Sequence, residues 1–298
     1  MAYIRNNYNI APLTWLKVGG TVKTLFIPKN FQEIQEFYQQ NSYSFQDIII
    51  LGAVSNSLIL DGYLDKTVLK TTNLNTIELL DNYQIRVQSG TLDKILANFA
   101  LNNNIGGLEF LDSIPGTIGG NILTNAGCYG KEIKDILISI EVITNDGQLK
   151  TLLPDDFKFS YRRCVIPENV FMIYSVVLQG YYDDYENIKN NMDNMAAQRE
   201  STQPTSIATC GCTFKNPLPQ KAWELINKSG AKDLKVGQVS WSSLHNNFLD
   251  NKGKSGDDIY KLCQLTQQMV KEKLGVDLEL EIFIFGSPKD DKNTQQNH

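Results

Sequence analysis

Apolar residues recur along this chain with two different spacings, and each spacing predicts one kind of element. Apolar side chains three and four positions apart predict amphipathic helices, whereas short continuous or alternating apolar runs predict strands. Helical spacing marks residues 31–40, 92–101, 181–200 and 255–274. Strand-like runs occupy residues 24–27, 47–52, 67–70, 76–80, 84–88, 136–144, 148–153, 170–180 and 278–285. The chain is therefore expected to mix helices and strands.

Turn and capping residues separate these segments. The tripeptide Asn145-Asp146-Gly147 predicts a hairpin turn between two strands, and Gly275 is expected to cap the last helix. A further helix is predicted to open after Pro219, because proline is favoured in a first helical turn. The order strand, helix, strand over residues 24–52 predicts a βαβ unit.

A change in polarity near residue 200 indicates a domain boundary. Residues 181–200 are polar and acidic and predict a linking helix, which Gln203 and Pro204 interrupt. With 298 residues, the chain is long enough for two or three domains with their own cores. The polar, charged residues 287–298 are expected to be disordered.

Composition and charge argue against several classes of function. The net charge is −5 and no long basic run occurs, which disfavours a general nucleic-acid surface or an anionic-membrane surface. The sequence shows neither a secretory signal pattern nor an apolar run of about 18 residues, so no membrane insertion is expected. Five scattered cysteines without a Cys-x-x-Cys pair indicate reduced thiols and a cytoplasmic location. With two histidines in the chain, no metal site is expected.

The most unusual stretch begins at Ile114 and ends at Gly130. It contains five glycines among seventeen residues, separated by small and apolar side chains. Such a density has two explanations: a pair of tight turns in a compact fold, or a backbone cradle whose N–H groups face a pyrophosphate. The small residues of segment 52–60, which follows a predicted buried strand, allow the same two explanations. Taken alone, both segments favour the turns.

Eight short motifs follow one another along the chain. They are Thr14-x-x-x-Val18-Gly19-Gly20, Leu51-Gly52-x-x-Ser55-Asn56, Ile114-Pro115-Gly116-Thr117-Ile118-Gly119-Gly120, Asn125-Ala126-Gly127-x-Tyr129-Gly130, Tyr161-Arg162, Phe214-Lys215-Asn216-Pro217, His245-x-Asn247-Phe248 and Leu278-Glu279-x-Glu281. Each motif is weak by itself, but eight in register are hard to obtain by chance. In this order they resemble the UDP-N-acetylenolpyruvoylglucosamine reductases, over about residues 8–286.

The resemblance implies an α+β fold. An FAD-binding domain of the vanillyl-alcohol-oxidase (PCMH-type) kind would occupy residues 1–200, in two α+β subdomains of about 1–65 and 66–200. A smaller α+β substrate-binding domain would follow over residues 201–286. The substrate domain has no extra insertion, which implies the shorter subtype of the family.

The resemblance also implies an activity. These flavin enzymes reduce UDP-N-acetylglucosamine enolpyruvate to UDP-N-acetylmuramate, a precursor of bacterial peptidoglycan, with FAD as cofactor and NADPH as co-substrate. The expected partners are therefore NADPH and the enolpyruvyl sugar nucleotide, with no nucleic acid. We expect the enzyme to be a cytoplasmic monomer.

The motif match assigns residues to the cofactor and to the substrate. Those expected to hold FAD are Gly52, Ser55, Asn56, Ser57, Pro115, Gly116, Thr117, Gly119, Gly120, Asn125 and Ala126. Those expected to contact the substrate are Tyr161, Lys215, Asn216 and His245. A lone histidine such as His245 is equally often a structural hydrogen-bonding residue.

The same match assigns the chemistry to Arg162, Cys212 and Glu281. The Arg162 guanidinium would stabilise the negative charge that develops on the substrate. Cys212 would protonate a substrate carbon, since a free thiol is mostly protonated near neutral pH. Glu279 and Glu281, on one face of a predicted strand, would repel each other and keep a proton available. Without the motifs, Arg162 would be explained by a surface ion pair, Cys212 by burial as a core thiol and Glu281 by a solvated strand edge.

Two departures from the family pattern bear on function. Ala53 and Val54 stand where the family's FAD loop has glycines, and Cys212 stands where the family pattern has serine. The alternatives are another FAD oxidoreductase of the same fold with a different substrate, and a non-catalytic binding protein on a flavin fold. The first would bind FAD without NADPH oxidation that depends on the sugar nucleotide, and the second would fail to bind FAD.

Overall fold

The computed structural model describes residues 2–40, 47–204, 207 and 209–289. Among these residues the α-helices are α1 (Phe31–Gln40), α2 (Asp93–Asn102), α3 (Ile118–Thr124), α4 (Tyr185–Thr202), α5 (Ala222–Ser229) and α6 (Gly256–Leu274). The strands are β1 (Tyr3–Asn9), β2 (Thr21–Ile27), β3 (Ile48–Leu51), β4 (Ser57–Ile59), β5 (Tyr63–Lys70), β6 (Ile77–Leu79), β7 (Gln84–Gln88), β8 (Ile105–Gly106), β9 (Gly127–Cys128), β10 (Lys131–Glu132), β11 (Leu137–Thr144), β12 (Leu149–Leu152), β13 (Lys158–Ser160), β14 (Arg163–Val165), β15 (Val170–Gln179), β16 (Tyr181–Tyr182), β17 (Lys235–Val236), β18 (Val239–Trp241), β19 (Leu249–Asn251) and β20 (Phe283–Phe285).

The described chain forms two compact units. Unit 1 contains the described residues of segments 1–5, 24–53 and 66–199, and unit 2 contains those of segments 6–23, 54–65 and 200–298. By their packing, two segments from the N-terminal part of the chain thus belong to unit 2. The contiguous domain boundary near residue 200 stays a prediction.

A five-stranded antiparallel sheet of order β12-β11-β15-β7-β6 is the framework of unit 1. Apolar residues of α2 and α3 share one buried cluster with the inward-facing residues of this sheet. The predicted hairpin is confirmed, because β11 and β12 pair across residues 145–147. Its Gly147 has a φ of +78°, which glycine adopts without strain.

A second sheet has the strand order β1-β2-β5-β3, with β3 parallel to β5. The predicted succession of strand, helix and strand is present as β2, α1 and β3. However, β5 lies between β2 and β3, so the two strands of the predicted βαβ unit are not neighbours.

Unit 2 is built around α5 and α6. The Oγ of Ser255 accepts a hydrogen bond from the N–H of Asp258 at 3.1 Å and so caps the start of α6. Gly275 ends α6 with a φ of +69°, as predicted. The apolar faces of both helices share one buried cluster with Phe214 and Trp241. The three-stranded sheet β17-β18-β19 and the parallel pair β4 and β20 complete the unit.

The prediction of one continuous strand over residues 278–285 is wrong. Only β20 is a strand, and Leu280 forms a single bridge with Phe214. The physical reason is a change of partner: the N–H of Glu281 donates to Thr213, whereas the N–H of Phe283 donates to Asn56. A strand ladder cannot continue through a point where the neighbouring segment changes.

Smaller differences concern element ends. The helix predicted after Pro219 starts at Ala222, and residues 181–182 of the predicted linking helix form β16 instead. Ser57–Ile59, taken with the small-residue loop, is strand β4. The tail predicted to be disordered lies mostly outside the described residues, which end at residue 289.

Three further findings bear on function. No helix in the described ranges combines the length and apolarity needed to cross a bilayer. Within the same ranges, no three His, Cys, Asp or Glu side chains are grouped so that they could hold a metal ion. All five cysteines are free thiols.

Candidate active site

Thr117 of the glycine-rich stretch lies against Gly52, the first residue after β3 in unit 1. A Cβ atom on Gly52 would lie 2.0 Å from Oγ1 of Thr117, so a side chain there would force Thr117 to move. The amine of Lys70, a buried residue at the end of β5, donates to the Gly52 carbonyl at 2.7 Å. Close approach of two segments therefore explains the glycine at position 52. Lys70 was not predicted as a functional residue, because in the sequence it is only the lysine at the end of an apolar run.

Gly119 and Gly120, at the start of α3, have different surroundings. The N–H of Gly119 donates to the Ser89 carbonyl at 2.8 Å, and a Cβ atom there would lie 2.9 Å from the Cβ of Ser89. The N–H of Ile118 donates to the Thr91 carbonyl at 3.1 Å. These two N–H groups are thus used within the fold. A Cβ atom on Gly120 would meet its nearest neighbouring atom at 3.6 Å, so Gly120 leaves open space on that side.

Asp93, the first residue of α2, is hydrogen-bonded to the glycine-rich stretch at Gly116. Its N–H donates to the Gly116 carbonyl at 3.3 Å, and its Oδ1 accepts from the amide of Asn121 at 2.7 Å. Burial raises the pKa of Asp93 well above its usual value, and the hydrogen bond from Asn121 opposes that shift. The protonated form of this carboxyl group is therefore favoured.

Several buried polar side-chain atoms around this stretch have no hydrogen-bond partner in the described structure. They include Ser89 Oγ, Thr91 Oγ1, Asp93 Oδ2 and Asn125 Oδ1. An unpaired buried polar group costs roughly 1–3 kcal/mol, and such groups in native proteins usually find a ligand or ordered water. The surroundings of the stretch therefore fit a polar ligand such as FAD.

Asn125 joins the glycine-rich stretch to the next candidate element. It ends α3 with a φ of +43°, a left-handed conformation that asparagine tolerates. Its Nδ2 donates to Oε2 of Glu132 at 2.9 Å and to the carbonyl of Ser160 at 3.1 Å. The next residue, Ala126, donates its N–H to the Asn121 carbonyl at 2.9 Å. Asn125 thus positions the hairpin that follows Ser160.

That hairpin presents the candidate catalytic arginine. Strands β13 and β14 pair through Ser160 and Arg163, which leaves Tyr161 and Arg162 as a two-residue turn. Arg162 has a φ of +54°, and its guanidinium carbon lies 5.6 Å from the centre of the Tyr161 ring.

The charge of Arg162 also acts on Glu132, which accepts a hydrogen bond from Asn125. Burial would raise the pKa of Glu132, but hydrogen bonds from Lys134 and Asn125 and the charge of Arg162 lower that pKa below its usual value.

A second arginine, which sequence reasoning missed, lies near the same part of unit 1. Arg199 donates from Nη1 to the carbonyl of Ser113 at 2.8 Å. Burial raises the pKa of the Cys128 thiol to about 11, against the opposing charges of Arg162 and Arg199. Both guanidinium groups thus place positive charge near Cys128, but burial outweighs that charge and the neutral thiol is favoured. The signal for Arg199 was an isolated basic residue in an acidic helix.

In unit 2, the loop before β4 is tied to the candidate acid. The Nδ2 of Asn56 donates to the backbone carbonyl of Glu281 at 3.2 Å, and the Asn56 carbonyl accepts from Phe283 at 3.1 Å. Ser55 precedes this residue, and Ser57 begins β4 opposite Phe283. Val54 is buried with a φ of +58°, a conformation that strongly favours glycine. The substitution at Val54 therefore keeps the backbone path at the cost of strain.

The candidate proton donor and the candidate acid lie on hydrogen-bonded segments. Half-buried Cys212 forms a bridge with Phe248, and the next residue, Thr213, accepts the N–H of Glu281 at 2.8 Å. Cys210, by contrast, is buried in the apolar core, and burial raises its pKa to about 12. The two cysteines are thus in different environments, although they are two residues apart.

The candidate substrate residues of unit 2 have partners of their own. Lys215 forms a 2.5 Å ion pair with the exposed Glu279, while Oδ1 of Asn216 accepts the N–H of Ala222 at 2.9 Å and supports the start of α5. His245 accepts the N–H of Asn247 at its Nδ1 at 3.3 Å. Burial lowers the pKa of His245, which favours the neutral ring.

Two family models match different parts of the chain. Residues 22–153 match a family model described as an FAD binding domain. Residues 203–285 match the model of the C-terminal domain of UDP-N-acetylenolpyruvoylglucosamine reductase.

Whole-chain relatives carry the second of these names. A UDP-N-acetylenolpyruvoylglucosamine reductase of Rickettsia rickettsii (strain Sheila Smith) is 41% identical over 95% of both chains. One from Orientia tsutsugamushi (strain Boryong) is 38% identical over 95% of this chain and 94% of its own. The crystal structure of the reductase from Thermus caldophilus, at 29% identity, superposes with a TM-score of 0.82 and covers 96% of this chain and all of that one.

These likenesses span almost the whole chain and exceed what a shared fold alone requires. The resemblance seen in the eight motifs and the predicted α+β fold with an FAD-binding domain are confirmed. The chain belongs to the UDP-N-acetylenolpyruvoylglucosamine reductase family.

Proposed function

We propose that this chain reduces UDP-N-acetylglucosamine enolpyruvate to UDP-N-acetylmuramate, with NADPH as electron donor and FAD as cofactor. One observation carries the proposal. The N–H of Glu281 donates a hydrogen bond to Thr213, the residue after Cys212, and the carbonyl of Glu281 accepts one from the Asn56 side chain. A candidate acid, a candidate proton donor and a candidate cofactor loop are thereby linked within unit 2. The 41% identity with a named reductase supports the same substrate.

FAD, when bound, would carry hydride from NADPH to the substrate. The residues proposed to hold it are Gly52, Ser55, Asn56, Ser57, Pro115, Gly116, Thr117, Gly119, Gly120, Asn125 and Ala126. The open space at Gly120 and the unpaired Oδ1 of Asn125 support this assignment. Gly52 and Gly119 would act indirectly, by letting neighbouring segments pack closely.

Arg162 would act on the charge of the reacting group. Hydride addition to the enolpyruvyl double bond leaves an enolate-like dianion, which a positioned guanidinium stabilises. The turn at Tyr161 and Arg162, anchored through Ser160 to Asn125, holds that group on a short hairpin instead of a flexible loop. Arg199 would add a second positive charge to the same region.

Cys212 and Glu281 would complete the reaction. The thiol of Cys212 gives its proton to the carbon next to the one that received hydride, so the double bond becomes a saturated lactyl ether. Glu281, on the segment bonded to Thr213, would keep a proton available for this site. Lys215, Asn216, His245 and Tyr161 would orient the sugar nucleotide, with neutral His245 donating from Nε2.

The location and assembly of the protein are part of the same proposal. The free thiols support a reducing, cytoplasmic compartment. We also propose that the enzyme acts as a monomer, which light scattering during size-exclusion chromatography would test.

An anaerobic experiment with purified protein tests the function. NADPH should bleach the yellow flavin, and subsequent addition of the enolpyruvyl substrate should restore the colour. Bleaching without recovery by this substrate would favour another oxidoreductase of the same fold. Colourless protein that cannot be loaded with FAD would instead favour a non-catalytic binding protein.

A further inference from the structure

Asn247 lies in the turn before β19 and is almost completely buried. Its backbone carbonyl accepts the N–H of Thr213 at 2.8 Å. Its side chain accepts the N–H of Phe214 at 2.9 Å through Oδ1 and donates to the Phe214 carbonyl at 2.7 Å through Nδ2. Three hydrogen bonds thus join one asparagine to the two residues that follow Cys212.

The chemistry of an amide explains why asparagine stands at this position. An asparagine side chain carries both a donor and an acceptor, and here they pair with the acceptor and donor of a single residue, Phe214. A neighbouring strand would satisfy that residue in the same way. The side chain of Asn247 therefore replaces a missing piece of backbone along one edge of the segment.

The other edge of the same segment is paired by backbone. Thr213 accepts the N–H of Glu281 at 2.8 Å, and the N–H of Lys215 donates to the carbonyl of Glu279 at 2.9 Å. Residues 213–215 consequently lie between two hydrogen-bonding neighbours. One of these neighbours carries the candidate acid, and the other depends on Asn247.

The residue before Cys212 offers little support from packing. Gly211 has a φ of +74°, and no heavy atom lies within 4 Å of the position that its Cβ would take. After Cys212, the buried ring of Phe214 packs at 5.8 Å from the Trp241 ring. The bridge of Cys212 with Phe248 and the hydrogen-bonded residues that follow it therefore help to set the position of Cys212.

We propose that Asn247 is the positioning residue that holds the Cys212 thiol in place for proton donation. The proposal rests on the proposed function, because it takes Cys212 as the donor. Loss of the Asn247 amide leaves both polar groups of Phe214 unpaired and frees the segment to shift. A displacement of about 1 Å at a reacting group can slow a reaction about 100-fold.

Two variants and one control separate positioning from general stability. Asn247→Ala removes both side-chain hydrogen bonds, whereas Asn247→Asp keeps an acceptor for the Phe214 N–H but loses the amide donor. Asn251→Ala is the control, because Asn251 is also buried in unit 2 and donates to the Leu16 carbonyl at 3.0 Å. Its Oδ1 also accepts the N–H of Gly253 at 3.0 Å, so the control removes two side-chain hydrogen bonds without touching residues 212–215.

The two half-reactions, followed anaerobically in the FAD-loaded enzyme, provide the first readout. Asn247→Ala should slow flavin reoxidation by the substrate about 10- to 100-fold and change flavin reduction by NADPH less than about twofold. Asn251→Ala should leave both rates within about twofold of the unaltered enzyme. If Asn247→Ala does not fold, Asn247→Asp takes its place with the same expectation.

Hydrogen exchange of the FAD-free protein provides the second readout. The amides of residues 213–215 should exchange faster in both Asn247 variants and not in Asn251→Ala. If the substrate fails to reoxidise the reduced flavin of the unaltered enzyme, that result contradicts the proposed function. If the unaltered enzyme is reoxidised, then unchanged exchange, reoxidation at the normal rate, or equal slowing in Asn251→Ala would overturn the role of Asn247.

Discussion

The glycine-rich stretch of unit 1 and residues 212–216 of unit 2 both carry candidate site residues, but opposite means hold them in place. In unit 1, position depends on missing side chains: a Cβ atom on Gly52 or Gly119 would lie within 3 Å of a neighbouring atom. In unit 2, position depends on hydrogen bonds from the Asn247 side chain and from residues 279–281.

This difference predicts which changes each region tolerates. Added atoms should disturb the stretch in unit 1, where backbone and short side chains are already in contact. Removed polar groups should disturb the segment in unit 2, where each lost partner leaves a buried donor or acceptor unpaired. Four sets of variants test this contrast, beginning with the largest expected effect.

Cys212→Ala should have the largest effect, and it should fall on chemistry instead of the fold. Loss of a proton donor slows its step about 10²- to 10⁴-fold, so flavin reoxidation by the substrate should slow by that factor. Reduction by NADPH should stay unchanged, because it does not use the thiol. Cys212→Ser, which restores the family residue, is the control and should retain most activity. Equal slowing of both half-reactions in rapid-mixing measurements would refute the role of Cys212.

Gly52→Ala should destabilise unit 1 by about 1–3 kcal/mol, since its Cβ atom would overlap Oγ1 of Thr117. Gly120→Ala is the matched control, because its Cβ atom meets nothing closer than 3.6 Å and alanine favours a helix by about 1 kcal/mol. Denaturant unfolding of the FAD-free proteins measures both. Gly120→Ala should instead weaken FAD binding in a fluorescence titration. Equal stability of the two variants would show that close packing is not what requires Gly52.

Asp93→Asn should stabilise the protein at neutral pH. Burial raises the native pKa of Asp93, and Asn121 opposes the shift only in part. The native state therefore holds the Asp93 proton more tightly than the unfolded state does. The free energy of unfolding is highest below the unfolded pKa, about 3.9, and falls as the pH rises through the native pKa. The neutral variant should melt higher than the unaltered protein near pH 7, and the difference should shrink as the pH falls toward 4. The exposed Asp81→Asn is the control, and a gap in melting temperature independent of pH would contradict the account.

Glu279→Gln should have the smallest effect. Glu279 pairs with Lys215, but its side chain is 72% exposed, and exposed pairs contribute only about 0–1 kcal/mol. Thermal melting should thus barely change, and the KM for the sugar nucleotide should stay constant. Lys215→Met, in contrast, should raise that KM if Lys215 contacts the substrate. A KM that responds equally to both variants would show that the ion pair, rather than Lys215 alone, serves binding.

Elements with strong local signals were predictable. Helix α6 begins and ends where Ser255 and Gly275 indicate, because both caps act on backbone groups within one turn. The hairpin between β11 and β12 follows from the turn residues 145–147 for a similar reason. The motifs identified the family for a different reason, since their order carries information that no single pattern holds.

Contacts between distant segments were not predictable. Alternation of apolar residues suggested a strand through Glu281, but the change of partner from Thr213 to Asn56 ends the ladder. Asn247 stood in a motif without a role, because nothing near it in sequence shows that its amide faces Phe214. Lys70 and Arg199 were missed likewise, since a single charged residue has no local signature of its surroundings.

The sequence by itself determined where most helices, strands and turns form and which family the chain belongs to. These properties depend on residues a few positions apart, or on the order of motifs. Only the tertiary structure decided that Gly52 has no room for a side chain whereas Val54 has room but a strained backbone. It likewise decided that an asparagine side chain, not a strand, supports the residues after Cys212. The physical reason is that packing and hydrogen-bond partners come from segments far apart in the chain, and no local pattern encodes them.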